Sequence, residues 1–260
     1  MLRFIQRPET DPYYNLAAEE YLLKSATIDT FMTWCNEPSV IIGKHQNTLK
    51  EINLSYIESN NLPVIRRITG GGTVYHDPGN INFSFIFINR KDNPVDFREF
   101  TRPVISFLKE LGLYASFEGK NNITVDGLKV SGNSAHIFKN YAHVHKEKLN
   151  REEEASIQKL KHDKYKSYHW NFGYSPDYEF NRKWISNKDE YTVRLKVKEG
   201  IIEDAEIHGP QALQDLLIVT CQLIKGSIHN KKSIAERLKK LTFADENEKD
   251  IVNQIVDHLF

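Results

Sequence analysis

The segment RRITGGGTVYHDPGN, residues 66–80, constrains the fold more than any other part of the chain. Its three consecutive glycines each cost roughly 0.5–1 kcal/mol of folding free energy relative to alanine, because glycine has the most backbone freedom to lose. Successive backbone N–H groups without Cβ atoms can surround phosphate oxygens. Arg66 and Arg67, directly before the glycines, add planar cations that bind such oxygens. The segment therefore favours an anion-binding loop over a plain glycine-rich turn.

The glycine segment lacks the spacing of two common nucleotide-binding motifs. No Gly-Lys-Ser/Thr follows it, as in a P-loop, and its glycines are not spaced as in the dinucleotide-binding fingerprint. A second segment, DGLKVSG at residues 126–132, begins with a hairpin signal. On a regular strand, Lys129 and Ser131 would project to one face. Most such lysines are only solvated, but a lysine that faces a phosphate loop would be functional.

Composition and charge exclude several classes of protein. The 35 lysines and arginines balance the 35 aspartates and glutamates, so no general attraction to nucleic acid or to a membrane surface is expected. Cys35 and Cys221 are far apart and lack metal-ligand spacing, which argues against a disulfide framework and a zinc site. No apolar run resembles a signal peptide or a spanning helix. We therefore expect a cytoplasmic protein.

Strands and helices alternate along the chain, which predicts an α+β protein. Helices are predicted over residues 11–26, 97–113 and about 146–166, and again between residue 210 and the C-terminus. Strands are predicted over residues 30–34 and 39–43, as a β-pair, over residues 81–89, and in hairpins that turn at Asp126-Gly127 and Glu199-Gly200. A domain boundary is predicted between Trp170 and Lys188.

Four segments resemble the lipoate-protein ligase A family of the biotin/lipoate ligase superfamily. They are NEPSVIIGKHQNTLKEIN, RRITGGGTVYHDPGNINFS, DGLKVSGNSAH and WNFGYSPDYEF. The resemblance implies a catalytic domain of mixed β-sheets with flanking helices over residues 1–175, and a small α+β accessory domain over residues 180–260. It also implies a two-step reaction. ATP activates lipoate to lipoyl-AMP with release of pyrophosphate, and the lipoyl group then passes to a lysine of a carrier domain.

The resemblance also implies roles for individual residues. Lys129 is the implied catalytic residue, because it would reach both the lipoate carboxyl group and the α-phosphate. The implied ATP-binding residues are Arg67, Gly71, Gly72, Thr73, Val74, Tyr75 and Lys129. The implied lipoate-binding residues are Lys129, Gly72, His76 and Asn47, with Lys44 and Gln46 also lining the pocket. Arg66, Asp77 and Asn80 would support the loop.

Proton transfer by the loop is not expected in the first step. An ionised carboxylate needs no base before it is adenylated, so His76 and Asp77 are expected to hold the loop. The second step needs a deprotonated lysine amine, and the sequence indicates no base for it.

The implied cofactors and partners follow from the same resemblance. ATP, Mg²⁺ and lipoate would bind the chain. The implied partners are lipoyl-carrier domains of 2-oxoacid dehydrogenase E2 subunits and the glycine cleavage H protein, with no nucleic acid and no membrane. The chain is expected to be a monomer. Asn122 stands where the family usually has an acidic residue, which puts a Mg²⁺ contact there in question.

The resemblance breaks after Lys146. Relatives continue there into an apolar strand, whereas this chain continues from Glu147 with charged, helix-like sequence. Either a segment is deleted, or residues are omitted from the sequence, and we favour omission. It predicts that Lys146 and Glu147 are not covalent neighbours, and that the absent segment closes over lipoyl-AMP and excludes water.

Two alternatives to a ligase stay open from the sequence. Octanoyl- and lipoyl-transferases share the fold but use a cysteine thiolate, and neither Cys35 nor Cys221 lies where that nucleophile is expected. A non-catalytic lipoate-binding homologue is the other alternative. A biotin-specific ligase is disfavoured because its GRGR-like signature is absent.

Overall fold

The computed structural model describes residues 2–88, 96–135 and 149–260. The chain packs as two compact units, which are residues 1–44 with 62–166 (the first unit) and residues 45–61 with 167–260 (the second unit). Both units combine sheets with helices, which confirms the predicted α+β class. Within the described ranges, no helix is long and apolar enough to cross a membrane. The junction between Lys146 and Glu147 lies outside the described residues.

The elements follow one another in chain order as β1 (Leu2–Gln6), α1 (Pro12–Ser25), β2 (Asp29–Cys35), β3 (Ser39–Ile42), α2 (Thr48–Glu51), α3 (Leu54–Ser59), β4 (Val64–Arg66), β5 (Val74–His76), β6 (Ile81–Ile86), α4 (Phe97–Glu110), β7 (Ala115–Glu118), β8 (Asn122–Val125), β9 (Leu128–Gly132), α5 (Arg151–Leu160), β10 (Tyr178–Ser186), β11 (Asp189–Lys198), β12 (Ile201–His208), α6 (Gln214–Ile224), α7 (Lys231–Leu238) and α8 (Glu246–His258). Two π-helical turns, Lys161–Tyr165 and His169–Gly173, and a 3₁₀ turn, Gln211–Leu213, complete them.

The described strands of the first unit form three sheets of three strands, in the orders β1-β2-β6, β4-β3-β5 and β7-β8-β9. The predicted pairing of β2 with β3 is wrong. β2 pairs in parallel with β1 and antiparallel with β6, whereas β3 pairs with β4 and β5. No residue between β2 and β3 has the positive φ that tight hairpin turns use. The chain therefore passes from one sheet to another at this connection.

Local signals place the helices and the hairpin of the first unit correctly. Asp11 caps α1 by accepting from the N–H groups of Tyr13 at 2.9 Å and Tyr14 at 3.2 Å. α4 ends just before Gly112, which has a φ of +83°. The β8–β9 turn has positive φ at both Asp126 and Gly127. The helices at residues 11–26 and 97–113 and the Asp126-Gly127 hairpin are therefore confirmed.

Ion pairs attach α5 and the π-helical turn that follows it to the N-terminal part of the first unit. Arg3 makes two bonds of 2.9 Å to Glu153, and Lys164 donates to the buried Glu20 at 2.7 Å. Burial opposes ionisation of Glu20, but hydrogen bonds from Lys164, Lys24 and Tyr165 outweigh it and hold the pKa of Glu20 below its usual value. The helix predicted in the charged segment is confirmed for the described residues.

The second unit packs the sheet β10-β11-β12 against α6, α7 and α8. Its core contains fully buried aliphatic side chains such as Leu195, Ile202 and Leu217. Positive φ at Glu199 and Gly200 confirms the second predicted hairpin. β10 was not predicted, because its exposed side chains outnumber its buried ones and obscure the strand alternation. The division at residues 175–180 stays a prediction.

His229 is fully buried in the second unit and is neutral. Its Nδ1 lies 2.6 Å from the hydroxyl oxygen of Tyr178, and its Nε2 lies 2.7 Å from the carbonyl oxygen of Leu259. Because a carbonyl can only accept, Nε2 carries the proton and Nδ1 accepts from Tyr178. Burial lowers the pKa of His229 from 6.5 to about 4.

We expect this unit to lose stability as the pH falls from about 6.5 to about 4. The unfolded chain binds the imidazole proton in that range while the folded chain does not, so the contribution is complete above the unfolded pKa. The expected loss is about 3 kcal/mol. Hydrogen exchange of the β10–β12 amides against pH measures it. His229→Gln should remove this part of the pH slope, and exposed His208→Gln should retain it. An equal slope in both variants would contradict the assignment.

Candidate active site

Arg67 is folded into the glycine loop that joins β4 to β5. Its guanidinium donates to four acceptors, which are Thr69 Oγ1 at 3.0 Å and the carbonyl oxygens of Ile41 at 3.2 Å, Gly70 at 2.7 Å and Gly72 at 2.9 Å. These bonds use all but one of the N–H groups of a guanidinium. The structure therefore shows Arg67 shaping the loop, with one guanidinium N–H that has no acceptor among the described residues.

Gly71 needs to be glycine for the loop itself. It has a φ of +98°, and a Cβ atom there would lie 2.8 Å from Arg67 Nη2. Gly72 differs, because a Cβ atom at this position would meet nothing within 4 Å. Both residues are exposed. The protein's own packing therefore explains Gly71 but leaves the space beside Gly72 open.

Arg66 supports the backbone beneath the loop. It is fully buried, and its Nη1 donates at 3.0 Å to the carbonyl oxygens of both Gly43 and Lys44. The N–H of Lys44 donates in turn to the carbonyl oxygen of Thr69 at 2.8 Å. These bonds join the end of β3 to the start of the glycine loop. They are consistent with the predicted support role of Arg66, which stays a prediction.

The segment after the glycines runs along β3 and then turns. β5 pairs antiparallel with β3 and exposes Val74 and Tyr75, while Thr73 is half-buried just before it. Asp77 Oδ1 accepts from the N–H of Gly79 at 2.8 Å, and the Asp77 carbonyl oxygen accepts from the N–H of Asn80 at 2.9 Å. Asp77 therefore fixes the turn that follows β5.

His76, at the end of β5, is neutral. Burial, with a contribution from the nearby positive charge of Arg67, lowers its pKa from 6.5 to about 4, and Asp77 opposes the shift. Its Nδ1 lies 3.0 Å from the side-chain nitrogen of Asn36.

A β-bulge changes the direction of Lys129. In the β8–β9 register Thr124 is opposite Lys129, but Ile123 is opposite Ser131, so β9 has one extra residue between them. Because paired residues share a face, Lys129 and Ser131 lie on opposite faces. The prediction that they share a face is therefore wrong, since it assumed a regular strand.

Gly132 lies beneath the Lys129 side chain as a consequence of this bulge. A Cβ atom at Gly132 would lie 3.3 Å from both Cε and Nζ of Lys129. Lys129 itself is exposed and has no hydrogen-bond or ion-pair partner within the described ranges. Beyond β9, Ser134 Oγ lies 2.8 Å from Thr69 Oγ1 of the glycine loop. The strand that carries Lys129 thus continues directly to the loop.

Asn122 shares the Lys129 face, because it is opposite Gly132 in the register. Its Oδ1 is buried and has no hydrogen-bond partner among the residues of known placement, 2–88, 96–135 and 149–260. Among the residues that the structure describes, no group of three His, Cys, Asp or Glu side chains could hold a metal ion. On this face the described residues therefore offer the Asn122 amide oxygen, and not a complete cation site.

Asn47 and Gln46 belong to the second unit, unlike the glycine loop and Lys129. Asn47 precedes α2, and its side-chain nitrogen and oxygen are both buried, with no hydrogen-bond partner in the part of the chain that the structure describes. A buried amide without partners costs free energy that a bound ligand or water could recover. This is consistent with the predicted binding role of Asn47, which stays a prediction.

Sequence reasoning missed three polar residues near the loop, which are Asn15, Glu19 and Asn36. Burial raises the pKa of Glu19, although its bond from Ser84 and the nearby Arg67 oppose this. Asn15 and Glu19 are one helical turn apart in α1, whose other core-facing residues are mostly apolar. Polar side chains at i and i+4 in a buried helix face were the available signal.

Two family descriptions match the chain. Residues 11–159 match the lipoyl protein ligase A/B catalytic domain, and residues 175–259 match the bacterial lipoate protein ligase C-terminus. The chain is 32% identical to lipoate–protein ligase 1 of Staphylococcus aureus, over 89% of this chain and 91% of that protein. It is 32% identical to lipoate-protein ligase LplJ of Bacillus subtilis, over 76% of this chain and 82% of that protein.

Three solved structures share the fold. A P. falciparum protein in complex with lipoate has a TM-score of 0.56 at 19% identity, covering 99% of this chain and 100% of that chain. A Thermoplasma acidophilum ligase described with its E2 lipoyl domain has a TM-score of 0.59 at 22% identity, covering 66% and 96%. A lipoate-protein ligase A bound with ATP has a TM-score of 0.57 at 21% identity, covering 66% and 98%.

The relatives also differ from this chain in length. The alignment with the Staphylococcus aureus protein is 300 positions long, longer than the 260 residues of this chain, so that relative contains residues without a counterpart here. The catalytic match, the C-terminal match and the identity over most of the chain agree with one another. The chain belongs to the lipoate-protein ligase family.

Proposed function

We propose that this chain is an ATP-dependent lipoate–protein ligase that forms lipoyl-AMP and transfers the lipoyl group to a lysine of a carrier domain. The observation that carries the proposal is the pairing of two features in the first unit. One is a glycine loop held by Arg67. The other is Lys129, which has no partner among the described residues and lies on a strand that continues to that loop. The first supplies backbone donors for phosphate, and the second supplies a cation.

The first step joins two anions. A lipoate carboxylate oxygen attacks the α-phosphorus of ATP, the bond between the α- and β-phosphates breaks, and pyrophosphate leaves. Lys129 would offset the repulsion between carboxylate and phosphate, since a cation about 4 Å from an anion contributes about 4 kcal/mol at an effective dielectric of about 20. The loop N–H groups at Gly71 to Tyr75 would bind the nucleotide.

Arg67 acts mainly through the loop in this proposal. Its bonds to Gly70 and Gly72 keep the loop carbonyl oxygens turned away from an approaching phosphate. Its remaining N–H could still reach the nucleotide, as the sequence predicted. Gly72 and His76 are proposed for the lipoate side of the site. For Asn47, which belongs to the second unit, we propose lipoate binding from the family resemblance alone.

Mg²⁺ would enter with the triphosphate. The cation commonly uses one or two protein ligands together with substrate phosphates and water. Asn122 Oδ1, buried and without a partner on the Lys129 face, fits the role of one neutral ligand. The cation would supply charge neutralisation for the leaving pyrophosphate.

In the second step the amine of a carrier lysine attacks the lipoyl carbonyl carbon, an amide bond forms and AMP leaves. We propose lipoyl domains of E2 subunits and the glycine cleavage H protein as carriers, with the ligase acting as a monomer. The relative from Thermoplasma acidophilum, which is described with its E2 lipoyl domain, supports the first of these carriers.

The cysteine-dependent transferase reaction gains no support from the cysteines. Burial raises the pKa of Cys221 to about 11, which disfavours the thiolate at neutral pH. Cys35 is the last residue of β2, which is the central strand of the sheet β1-β2-β6. The structure shows no activating cation bonded to either thiol among the described residues.

The test mixes the full chain with ATP, Mg²⁺, lipoate and a purified lipoyl domain, and weighs the domain by mass spectrometry. We expect a mass gain of one lipoyl group that requires ATP. An H protein in a parallel reaction tests the second carrier. No gain with ATP, together with a gain from an acylated donor protein, would overturn the ligase in favour of a transferase. No gain in either reaction would favour a non-catalytic protein.

A further inference from the structure

Asn15 has only one possible amide orientation. Its Nδ2 lies 2.9 Å from the carbonyl oxygen of Glu9, 3.1 Å from that of Cys35 and 3.0 Å from Asn36 Oδ1. Backbone carbonyl oxygens can only accept, so the atom between them must be the NH₂ group. Asn15 is fully buried and cannot turn toward water instead. The atom of Asn36 that faces Asn15 is therefore its oxygen.

The same reasoning fixes the amide orientation of Asn36, which in turn determines the tautomer of His76. With its oxygen facing Asn15, its NH₂ group must face His76 Nδ1, 3.0 Å away. Asn36 is also fully buried. An NH₂ donor requires that Nδ1 be an acceptor, so the proton of the neutral ring is on Nε2. A doubly protonated ring would set two N–H groups against each other.

We propose that Asn36, oriented by Asn15, is a positioning residue that holds His76 as the Nε2–H tautomer, so that His76 donates a hydrogen bond to an anionic oxygen of the substrates. This inference rests on the proposed ligase function. His76 Nε2 has no hydrogen-bond partner among the described residues and lies on the strand directly after the glycine loop. The anionic oxygen belongs to a phosphate of ATP or to the lipoate carboxylate.

The same geometry excludes His76 as the base of the transfer step. Its Nε2 already carries a proton, and its Nδ1 is occupied by the donor group of Asn36. The charged groups that act on the ring are Arg67, which disfavours the imidazolium, and Asp77, which favours it. Burial and Arg67 together keep the ring neutral at pH 7. His76 therefore offers a donor without consuming or releasing a proton.

The first test needs no variant. Nitrogen-15 NMR of the histidine rings in the full chain reports which ring nitrogen carries the proton. We expect His76, assigned by comparison with His76→Gln, to show the Nε2–H pattern from pH 8 down to pH 6. A protonated Nδ1 in that range would overturn the proposal. The measurement does not depend on catalysis, so it separates failure of the tautomer from failure of the ligase function.

The second test replaces the donor that faces His76 Nδ1 with an acceptor. Asn36→Asp keeps the shape and still accepts from Asn15, but it presents a carboxylate to Nδ1. We expect the His76 proton to move to Nδ1, the His76 pKa to rise, and the kcat/KM of lipoate-dependent ATP–pyrophosphate exchange at pH 8 to fall at least about tenfold, a loss of one substrate hydrogen bond. Lowering the pH should then restore activity, because the imidazolium regains Nε2–H.

The matched control is Asn230→Asp, which changes the cap of α7 from one favourable residue to another. It should retain wild-type exchange at every pH. In Asn36→Asp, a rise in the KM for ATP identifies a phosphate as the acceptor, and a rise in the KM for lipoate identifies the carboxylate. An unchanged kcat/KM for both ATP and lipoate would overturn the proposal. So would a loss of exchange activity that lowering the pH does not restore.

Discussion

Lys129→Ala is expected to lower lipoate-dependent ATP–pyrophosphate exchange by more than about a hundredfold. Loss of one positioned donor to the transition state costs about 2.7–4 kcal/mol of transition-state stabilisation. The free energy of unfolding should hardly change, because Lys129 is exposed and makes no hydrogen bond or ion pair with the described residues. The exchange assay isolates the first step, since it needs no carrier domain.

The control for this experiment is Lys198→Ala, which removes another exposed strand lysine, at the end of β11. It should exchange at the wild-type rate. Gly132→Ala adds a sharper comparison, because its methyl group would press against Cε and Nζ of Lys129. We expect it to slow exchange while the lysine is retained. Wild-type exchange in Lys129→Ala would remove Lys129 from the first step.

Gly71→Val and Gly72→Val are expected to weaken ATP binding for different reasons. At Gly71 the new side chain meets Arg67 and a φ of +98°, so the loop itself should be strained by about 1–3 kcal/mol, with a lower Tm. At Gly72 the free protein has room, so the Tm should be unchanged. The branched side chain would nevertheless occupy the space where phosphate approaches, and we expect at least about a tenfold loss of affinity, or about 1.4 kcal/mol.

Calorimetric titration with ATP and thermal unfolding of the same samples distinguish these effects. The informative variant is Gly72→Val, since an added Cβ atom there meets nothing within 4 Å in the free protein. Wild-type affinity in both variants would mean that the loop is only a turn. A lower Tm in Gly72→Val would mean that the free protein needs this glycine for packing.

Local sequence signals predicted most of the secondary structure because they act within a few residues. Asp11 and Asp96 cap the helices that follow them, and Gly112 ends α4. Asp-Gly and Glu-Gly pairs adopt the positive φ values that hairpin turns require. Strand pairing was harder to predict from the sequence, because β2 and β3 are close in sequence but each pairs with strands from other parts of the chain.

The amino-acid sequence by itself determined the family and the chemical types of the candidate site, since the glycine loop and Lys129 lie in short motifs that are readable without a structure. Only the tertiary structure decided how those residues are presented. In the structure Arg67 points into the loop. A β-bulge, which residue propensities do not indicate, places Ser131 on the opposite face from Lys129. The tertiary structure also joined Asn15 and Asn36 to His76. The bonds from Asn15 to Asn36 and from Asn36 to His76 join residues 21 and 40 positions apart, which local pattern does not encode. The Arg67 bonds and the bulge are short-range, but they depend on backbone geometry that residue types alone do not specify.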